Sequence, residues 1–317
     1  MSTAIVESTS SSPVTIRAEG LRHVYKGGTV ALDGVDLEFG TGLFGLLGPN
    51  GAGKSTLMRI MCTLLVPTAG RVTVGGHDVC RERLAVRRLL GYLPQEFGGW
   101  RLQRVEEVLD TLAILSGMRD RSRRRGRIAE VLRQVGLDEV ADRKVKKLSG
   151  GMVRRLGVAQ ALVHEPRVLI VDEPTVGLDP QERLRFRQLM ASLGQDRTIV
   201  LSTHIVADLG SSCRDLALID GGKIVFRGSP EELMSQARGR VFQLAAGGAD
   251  LAAVEQRYEV VSSVRDGEVN RVRAVSRDGR LPDGAQPVDD PTLEEAYLAF
   301  MAARGRSDAL SAEESER

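Results

Sequence analysis

The sequence predicts an α/β fold built around a parallel sheet, and three stretches carry that prediction. Residues 43–47, 168–171 and 198–204 are short runs built around consecutive apolar residues, as strands buried on both faces of a sheet are. Each run leads into glycine, acidic or polar residues. In open α/β sheets ligands bind at the carboxyl ends of the strands, so these three strand ends are candidate site positions.

The chain opens with a Ser- and Thr-rich stretch at residues 1–13, which predicts a flexible lead-in. Residues 14–19 and 31–39 each indicate a strand, with a turn at Gly27 and Gly28 between them. Tyr25 stands just before that turn. Its ring could be a packing contact or a face on which an adenine ring stacks, and the residues alone leave both interpretations open.

The Gly-rich segment after the first buried run matches the phosphate-loop pattern GxxxxGK[ST] at every defined position. Its glycines let consecutive amides turn inward as an anion nest, and the following helix adds its N-terminal N–H groups. The lysine would reach the β- and γ-phosphates of a nucleotide, and the next hydroxyl would bind Mg²⁺. The segment comprises Gly48, Pro49, Asn50, Gly51, Ala52, Gly53, Lys54, Ser55 and Thr56.

Two features of the middle of the chain remain ambiguous in the sequence. Gln95 follows a short strand that a proline ends, and a lone glutamine there is ordinarily a loop residue. Trp100 is the only tryptophan and could be a core residue or a docking contact for a partner. The spacing of apolar residues predicts helix over 105–136. Within it, six arginines between residues 119 and 127 form either a solvated face or a contact for anionic lipid or an acidic partner.

A second candidate anion site lies at Ser149, Gly150 and Gly151, immediately before a helical pattern that ends near Pro166. Ser149 is placed as an N-cap, and the glycines leave backbone N–H groups free at the start of the helix. Taken alone, the segment could also be a capped helix and nothing more.

Acidic and polar residues follow the last two buried runs. Asp172 would hold Mg²⁺, as an acid at this place does in P-loop NTPases, and Glu173 would deprotonate an attacking water. In isolation the pair could also be two solvated acids. Asp179 lies in a turn that precedes a helix, and His204 could contact a γ-phosphate or cap the strand end.

Composition restricts the function classes. The chain has 317 residues and a net charge of +2, which gives no reason to expect a nucleic-acid partner. No apolar run reaches the roughly 18 residues that a membrane helix needs. The three cysteines show no metal-ligand spacing, which predicts reduced thiols in the cytosol.

The C-terminal part of the chain differs in character. Residues 238–304 carry no catalytic constellation, and the charged tail at 305–317 is predicted to be disordered.

Together the motifs resemble the ATP-binding cassette (ABC) family over residues 14–237. They are GPNGAGKST, Gln95 within YLPQ, LSGGM, VLIVDE, GLDP and STH, in that order. The resemblance implies a P-loop NTPase fold with a parallel core sheet, an antiparallel β subdomain and an inserted helical subdomain at about 96–165. Beyond the matching range, short strands, turns and two helices indicated over 238–304 predict a small α+β C-terminal extension.

The resemblance also implies a mechanism that needs two chains. Two cassettes, here an expected homodimer, face each other head to tail, and ATP on one phosphate loop is covered by Ser149, Gly150 and Gly151 of the other. Family roles then follow for the remaining site residues: Tyr25 as the adenine-stacking aromatic, Gln95 as the lid-loop glutamine that senses Mg²⁺, Asp172 as the metal acid, Glu173 as the general base, Asp179 as the cross-dimer aspartate and His204 as the switch histidine. Met152 departs from the commoner glutamine.

Within the family, the sequence resembles cassette subunits of bacterial drug, antibiotic and lantibiotic exporters whose permease is a separate chain. The segments GYLPQEFG and PTLEEAY carry this likeness, and Leu102, Gln103 and Arg104 depart from the commoner pattern. The expected protein is an ATPase at the inner face of the cell membrane, bound to a permease. An importer subunit with a regulatory C-terminal domain and a cassette acting on ribosomes or DNA are the alternatives.

Overall fold

The computed structural model describes residues 14–95, 98, 100–266 and 269–306. The predicted lead-in at 1–13 and most of the predicted tail at 305–317 lie outside these residues. The described chain divides into two compact units. The first runs to Thr203 and includes the segment Leu218–Val225, and the second comprises His204–Ala217 and the chain from Phe226 onward.

The first unit alternates strands and helices. Its elements in chain order are β1 (Ile16–Val24), β2 (Val30–Phe39), β3 (Gly42–Leu47), α1 (Lys54–Met61), β4 (Ala69–Val74), β5 (His77–Asp78), α2 (Arg83–Leu89), β6 (Leu90–Leu93), α3 (Val105–Leu115), α4 (Arg121–Val135), α5 (Gly150–Leu162), β7 (Val168–Asp172), α6 (Pro180–Leu193) and β8 (Thr198–Thr203). Strands β9 (Cys213–Asp220) and β10 (Lys223–Gly228) contribute their Leu218–Val225 segment to it.

A parallel sheet places the candidate site. Its strands follow the order β10-β9-β3-β8-β7-β6, and β3, β8, β7 and β6 pair in parallel. Every residue of β7 and β8 is buried, as expected for strands covered on both faces. The strands therefore bring Leu47, Leu93, Asp172 and Thr203 to one edge of the sheet, where their carboxyl ends meet.

An antiparallel sheet and a group of helices complete the first unit. The sheet has the order β2-β1-β4-β5, with β1 antiparallel to both of its neighbours. The helices α3, α4 and α5 fall in the range where a helical insertion is predicted. The helices α3 and α4 occupy the stretch 105–136 that is predicted to be helical, and they are separated near Gly117, which takes a φ of 95° after α3. Asp120 then starts α4 by accepting a hydrogen bond from the Arg123 amide at 2.6 Å.

The arginine-rich stretch of α4 is partly internal. Arg124 pairs with Asp110 at 2.8 Å, and the buried Arg127 donates to the carbonyl oxygen of Leu162 at 2.6 Å. Arg127 thus satisfies a carbonyl group at the end of α5, where helices leave such acceptors unpaired. Arg119, Arg121 and Arg125 are exposed, so only part of the run fits a solvated face.

The second unit is an α+β unit. Beyond the 204–217 segment it contains α7 (Pro230–Ala237), β11 (Val241–Ala246), α8 (Gly248–Arg257), β12 (Glu259–Asp266), β13 (Val269–Val275), β14 (Gln286–Pro287) and α9 (Leu293–Ala303). The strands form a sheet in the order β12-β13-β11-β14. Phe242, Tyr258 and Val272 pack in its core. Buried Glu295 on α9 forms a double hydrogen bond with Arg273 on β13, which ties the helix to the sheet.

The predicted fold class is confirmed: a parallel core sheet, an antiparallel sheet, helices and an α+β C-terminal part are all present. The predicted domain boundary between residues 237 and 238 stays a prediction, and the second compact unit begins earlier, at His204. Within the described ranges, no helix combines the length and the apolar character needed to cross a membrane.

Candidate active site

The phosphate loop turns sharply between β3 and α1. Gly51 and Gly53 have φ values of 78° and 111°, in the left-handed region that glycine reaches without steric cost. Gly53 also lies so close to β2 that a Cβ atom there would come within 2.5 Å of the Ala31 carbonyl oxygen. A side chain at Gly53 would therefore push the loop away from β2. The helix α1 begins directly after this glycine, so its first amides face the loop.

A cavity of about 480 Å³ opens above the loop. It brings together the predicted phosphate-loop residues from 49 to 56 and three predicted site residues from elsewhere in the chain. The full lining is Tyr25, Thr29, Val30, Ala31, Pro49, Asn50, Gly51, Ala52, Gly53, Lys54, Ser55, Thr56, Gln95 and Glu173. Gly48 is buried beneath it, where a Cβ atom would meet the Ile219 carbonyl oxygen.

Lys54 is buried in the loop that it follows. Its Nζ donates to the carbonyl oxygens of Gly48 at 2.6 Å and Pro49 at 3.2 Å, and lies 3.2 Å from Glu173 Oε1. Burial lowers the pKa of Lys54, and the nearby carboxylates of Glu173 and Asp172 oppose that effect. The ammonium group is thus held at the cavity wall by its own loop and by one carboxylate. An anion in the cavity would meet a cation whose position is already fixed.

Glu173 adopts a strained backbone conformation at the end of β7. Its φ is 45°, which is uncommon for a residue other than glycine, and its amide donates to the Ser202 carbonyl oxygen at 3.0 Å. The residue is only 4% exposed. Strained conformations of this kind are retained where the surroundings impose them and are concentrated at functional sites.

Asp172 is held by Ser202, the first residue of the STH motif, a contact that the sequence does not predict. Ser202 on β8 lies opposite Asp172 in the parallel register, and its hydroxyl donates to Asp172 Oδ1 at 2.9 Å. Both side chains are buried. In the sequence, both buried strands end in polar residues, which indicates that these ends could meet. Only the strand register shows that Ser202 lies beside Asp172.

Tyr25 occupies the cavity rim. Its hydroxyl lies 3.0 Å from Thr56 Oγ1, and its ring meets His23 edge-on at 4.7 Å. The side chain is 39% exposed, so the ring both packs and leaves surface open to the cavity. The two interpretations of Tyr25 are therefore compatible with each other.

Gln95 is held through its backbone carbonyl group. Arg154 on α5 donates to the carbonyl oxygens of Gln95 at 2.8 Å and Pro94 at 3.3 Å. Burial lowers the pKa of Arg154. This link between the glutamine segment and the helix after Ser149 was missed from sequence, since an arginine on a helix face gives no signal of a distant carbonyl partner.

The second anion motif lies outside the cavity. Ser149 caps α5 by accepting from the Met152 amide at 3.2 Å, and both Ser149 and Gly150 are exposed. Gly151 is buried against Glu182 of α6. Asp179 is exposed and caps α6, accepting from the Glu182 amide at 2.9 Å. Among the described residues that line the cavity, none comes from Ser149–Gly151 or from Asp179.

His204 directly follows β8 and is the first residue of the second unit. Its predicted role as a switch residue stays a prediction.

Oxygen donors suited to Mg²⁺ are present beside the loop. Ser55 and Gln95 line the cavity, and Asp172 is the buried acid at the end of β7. The described residues contain no group of three or more His, Cys, Asp or Glu side chains arranged to hold a metal ion. That arrangement is compatible with Mg²⁺, which typically binds through one or two carboxylates, water and substrate phosphates rather than an all-protein cage.

Comparison with known proteins identifies the family. Residues 32–176 match the ABC transporter family. The "Probable multidrug ABC transporter ATP-binding protein YbhF" of Escherichia coli (strain K12) is 33% identical over 276 residues, covering 83% of this chain but only 48% of YbhF. The "Daunorubicin resistance ATP-binding protein DrrA2" of Streptomyces coeruleorubidus is 34% identical over 316 residues, covering 91% of this chain and 95% of DrrA2. The chain thus spans about half the length of the first relative and nearly all of the second.

A solved structure agrees with the sequence match. The bacterial ABC transporter cassette MJ0796, whose structure is dimeric, superposes with a TM-score of 0.61 at 27% sequence identity, covering 68% of this chain and 98% of that one. The resemblance that the motifs predict is thereby confirmed. This chain belongs to the ABC transporter family.

Proposed function

We propose that this chain is the ATP-hydrolysing subunit of a bacterial ABC exporter, in which a cassette dimer couples ATP binding and hydrolysis to transport through a separate membrane permease. One observation carries the proposal: a single cavity unites the phosphate loop, the buried Lys54 and the strained Glu173. A phosphate-binding cation and a candidate base 3.2 Å apart are suited to cleaving a phosphoanhydride bond.

ATP would bind along the cavity wall. The amides of the loop and of the first turn of α1 would receive the phosphates, and Lys54 would reach the β- and γ-phosphates. The exposed part of the Tyr25 ring offers the adenine a stacking surface at the other end. Ser55, Asp172 and Gln95 would hold Mg²⁺, which when bound neutralises charge on the β- and γ-phosphate oxygens.

Glu173 would act as the general base. Before nucleotide binds, its carboxylate is paired with Lys54. A triphosphate competes for Lys54 and so releases the carboxylate toward a water in line with the γ-phosphate. Glu173 accepts one proton from that water while the oxygen attacks phosphorus and ADP leaves. Ser202 keeps Asp172 in place, and the Glu173 amide bond to Ser202 keeps the base at the strand end.

The site would be completed by a second copy of the chain. Ser149 and Gly150 are exposed donors at the start of α5 and lie outside the cavity lining. We infer that they cover the nucleotide bound to the partner, with Asp179 at the same interface, and that a homodimer has two such sites. The dimeric structure of the related cassette MJ0796 supports this arrangement.

The transported substrate would be selected by the permease. Names of the relatives refer to multidrug transport and daunorubicin resistance, which supports export of a drug-like or antibiotic substrate.

The expected location of the protein is cytoplasmic, peripheral on the inner face of the cell membrane. Residues 238–304 would act as an accessory domain, and the net charge of +2 gives no support for a nucleic-acid partner.

A pull-down tests the transporter assignment. Tagged Glu173→Gln protein would be recovered from solubilised native membranes with ATP present and analysed by mass spectrometry, with Lys54→Ala as the control that is expected to bind ATP more weakly. Recovery of a polytopic protein with several apolar spans of about 20 residues each supports the proposal. Recovery of ribosomal proteins or DNA-bound factors instead would contradict the transporter role.

A further inference from the structure

We propose that the turn of the β9–β10 hairpin is a positioning element for the phosphate loop, and that Gly222 is the residue that carries this role. The inference rests on the proposed binding of ATP at the loop. Gly222 lies outside the phosphate-loop motif by more than 160 positions in the chain, yet it belongs to the same compact unit.

Gly222 bridges two segments that border the cavity. Its amide donates to the carbonyl oxygen of Ala52 at 3.0 Å, within the phosphate loop. Its own carbonyl oxygen accepts from the Asp33 amide on β2 at 2.9 Å. One residue of the hairpin therefore ties the loop to the adjacent sheet through backbone groups alone.

The bond to Ala52 fixes the direction of a donor inside the loop. In a trans peptide the C=O bond and the N–H bond of the next residue lie in one plane and point in opposite directions. Because the Ala52 carbonyl is held toward Gly222, the Gly53 N–H points away from the hairpin. Gly53 lines the cavity, and an anion nest requires backbone amides that point inward. The bond to Ala52 therefore helps to orient one such amide.

Close packing explains why this position is a glycine. A Cβ atom at Gly222 would lie 2.8 Å from the Ala31 carbonyl oxygen and 3.1 Å from Leu32 Cα. Both are backbone atoms of β2 and cannot rotate away. Two glycines of the loop are constrained in the same way. A Cβ atom at Gly53 would meet the Ala31 carbonyl oxygen, and one at Gly48 would meet the Ile219 carbonyl oxygen. The loop, β2 and the hairpin turn thus meet backbone to backbone.

The neighbouring glycine provides a matched control. Gly221 and Gly222 have φ values of 54° and 77°, so an alanine at either position carries a similar left-handed backbone cost. A Cβ atom at Gly221, however, meets nothing within 4 Å. Comparing the two alanine variants separates displacement of the hairpin from simple backbone strain.

The test measures binding of ATP with Mg²⁺ to full-length wild type, Gly222→Ala and Gly221→Ala, together with thermal unfolding of each protein without nucleotide. We expect Gly222→Ala to weaken ATP binding by about tenfold or more, because small displacements of positioned groups are costly. Gly221→Ala should stay within about twofold of wild type for ATP while showing a comparable fall in unfolding temperature. Equal ATP affinity of the two variants would overturn the inference.

A second measurement needs no variant. Amide hydrogen exchange of wild type would be compared with and without a non-hydrolysable ATP analogue and Mg²⁺. Binding should slow exchange of the Gly222 amide, since ordering the loop stabilises its bond to Ala52. An unchanged Gly222 rate in a protein that binds the analogue would overturn the inference. Failure of wild type to bind the analogue at all would instead overturn the proposed function.

Discussion

The chain contains two sites suited to anions, and they differ in how complete they are. At the phosphate loop, Lys54 is 5% exposed and already has a carboxylate partner in Glu173, and both face a defined cavity. At the start of α5, Ser149 and Gly150 are exposed, and the Ser149 hydroxyl serves as the cap of its own helix. Both sites use the N-terminus of a helix, but only the first has its cation and carboxylate, Lys54 and Glu173, in the lining of the cavity.

This difference is the basis for the proposed division of labour between two copies of the chain. The phosphate loop has what is needed to bind and cleave a nucleotide, whereas the α5 site offers donors at an exposed surface. An exposed set of donors that does not line the chain's own cavity is suited to a ligand that another molecule presents. The four variants below change one site or the other, in order of decreasing expected effect.

Replacing Glu173 by glutamine removes the proposed base and keeps the shape of the site. We expect ATP hydrolysis to fall on the order of a hundredfold to ten-thousandfold. ATP affinity should be retained, because the loop and Lys54 are intact. Single-turnover hydrolysis and equilibrium binding measure the two effects, with exposed Glu106→Gln as the control. Hydrolysis at the parental rate would remove Glu173 from the mechanism.

Replacing Lys54 by alanine deletes the cation of the first site. Hydrogen bonds to charged groups contribute about 1.5–3 kcal/mol, so ATP affinity should drop by roughly 10- to 150-fold. Titration with a fluorescent ATP analogue measures the loss, and exposed Lys26→Ala serves as the control. An unchanged affinity would contradict the assignment of the loop as the phosphate site.

Replacing Gly150 by aspartate tests the second site without disturbing its own chain. A Cβ atom at Gly150 meets nothing within 4 Å, and an acid in the first turn of a helix is electrostatically favourable. Binding of ATP to the isolated chain should be unchanged, but hydrolysis should fall by at least about tenfold, since the carboxylate would repel the partner's nucleotide.

The matched control is Gly126→Asp, which also has open space around its Cβ position but lies on α4. Equal activities of the two aspartate variants would mean that the start of α5 takes no part in hydrolysis.

Replacing Ser202 by alanine removes the hydrogen bond that holds Asp172. Because outer-shell partners orient metal-binding carboxylates, we expect the Mg²⁺ concentration for half-maximal nucleotide binding to rise by about tenfold. The Ser202→Thr variant retains a hydroxyl and should recover most of the effect. If alanine and threonine behave like wild type, Asp172 does not depend on this contact.

Much of the first site could be predicted from sequence because its chemistry lies in contiguous motifs. Lys54, Ser55, Asp172 and Glu173 stand next to buried strands whose presence can be inferred from their apolar runs. The contacts from Ser202 and Arg154 could not be predicted, because each depends on strand register or helix orientation. Their residue types, a serine in a strand and an arginine on a helix, are common and carry no signal of their partner.

Backbone contacts were the least predictable part. The bond between Gly222 and Ala52 joins main-chain atoms, so no side-chain pattern marks it, and a Gly-Gly pair between two strands predicts only a turn. The second compact unit begins at His204, whereas the change in composition near residue 237 predicts a later domain boundary, which stays a prediction. Residues 204–217 belong to the second unit because of tertiary packing, and local sequence patterns do not reveal such packing.

The most direct test of the central claim mixes two impaired chains. Neither Lys54→Ala nor Gly150→Asp protein can form an intact composite site alone, and their ATPase activity would be measured before and after mixing in equal amounts. If each site combines the loop of one chain with α5 of the other, half of the dimers contain one intact site, and mixing should restore about a quarter of parental activity. No recovery, in a mixture shown to exchange subunits, would contradict a site shared between two chains.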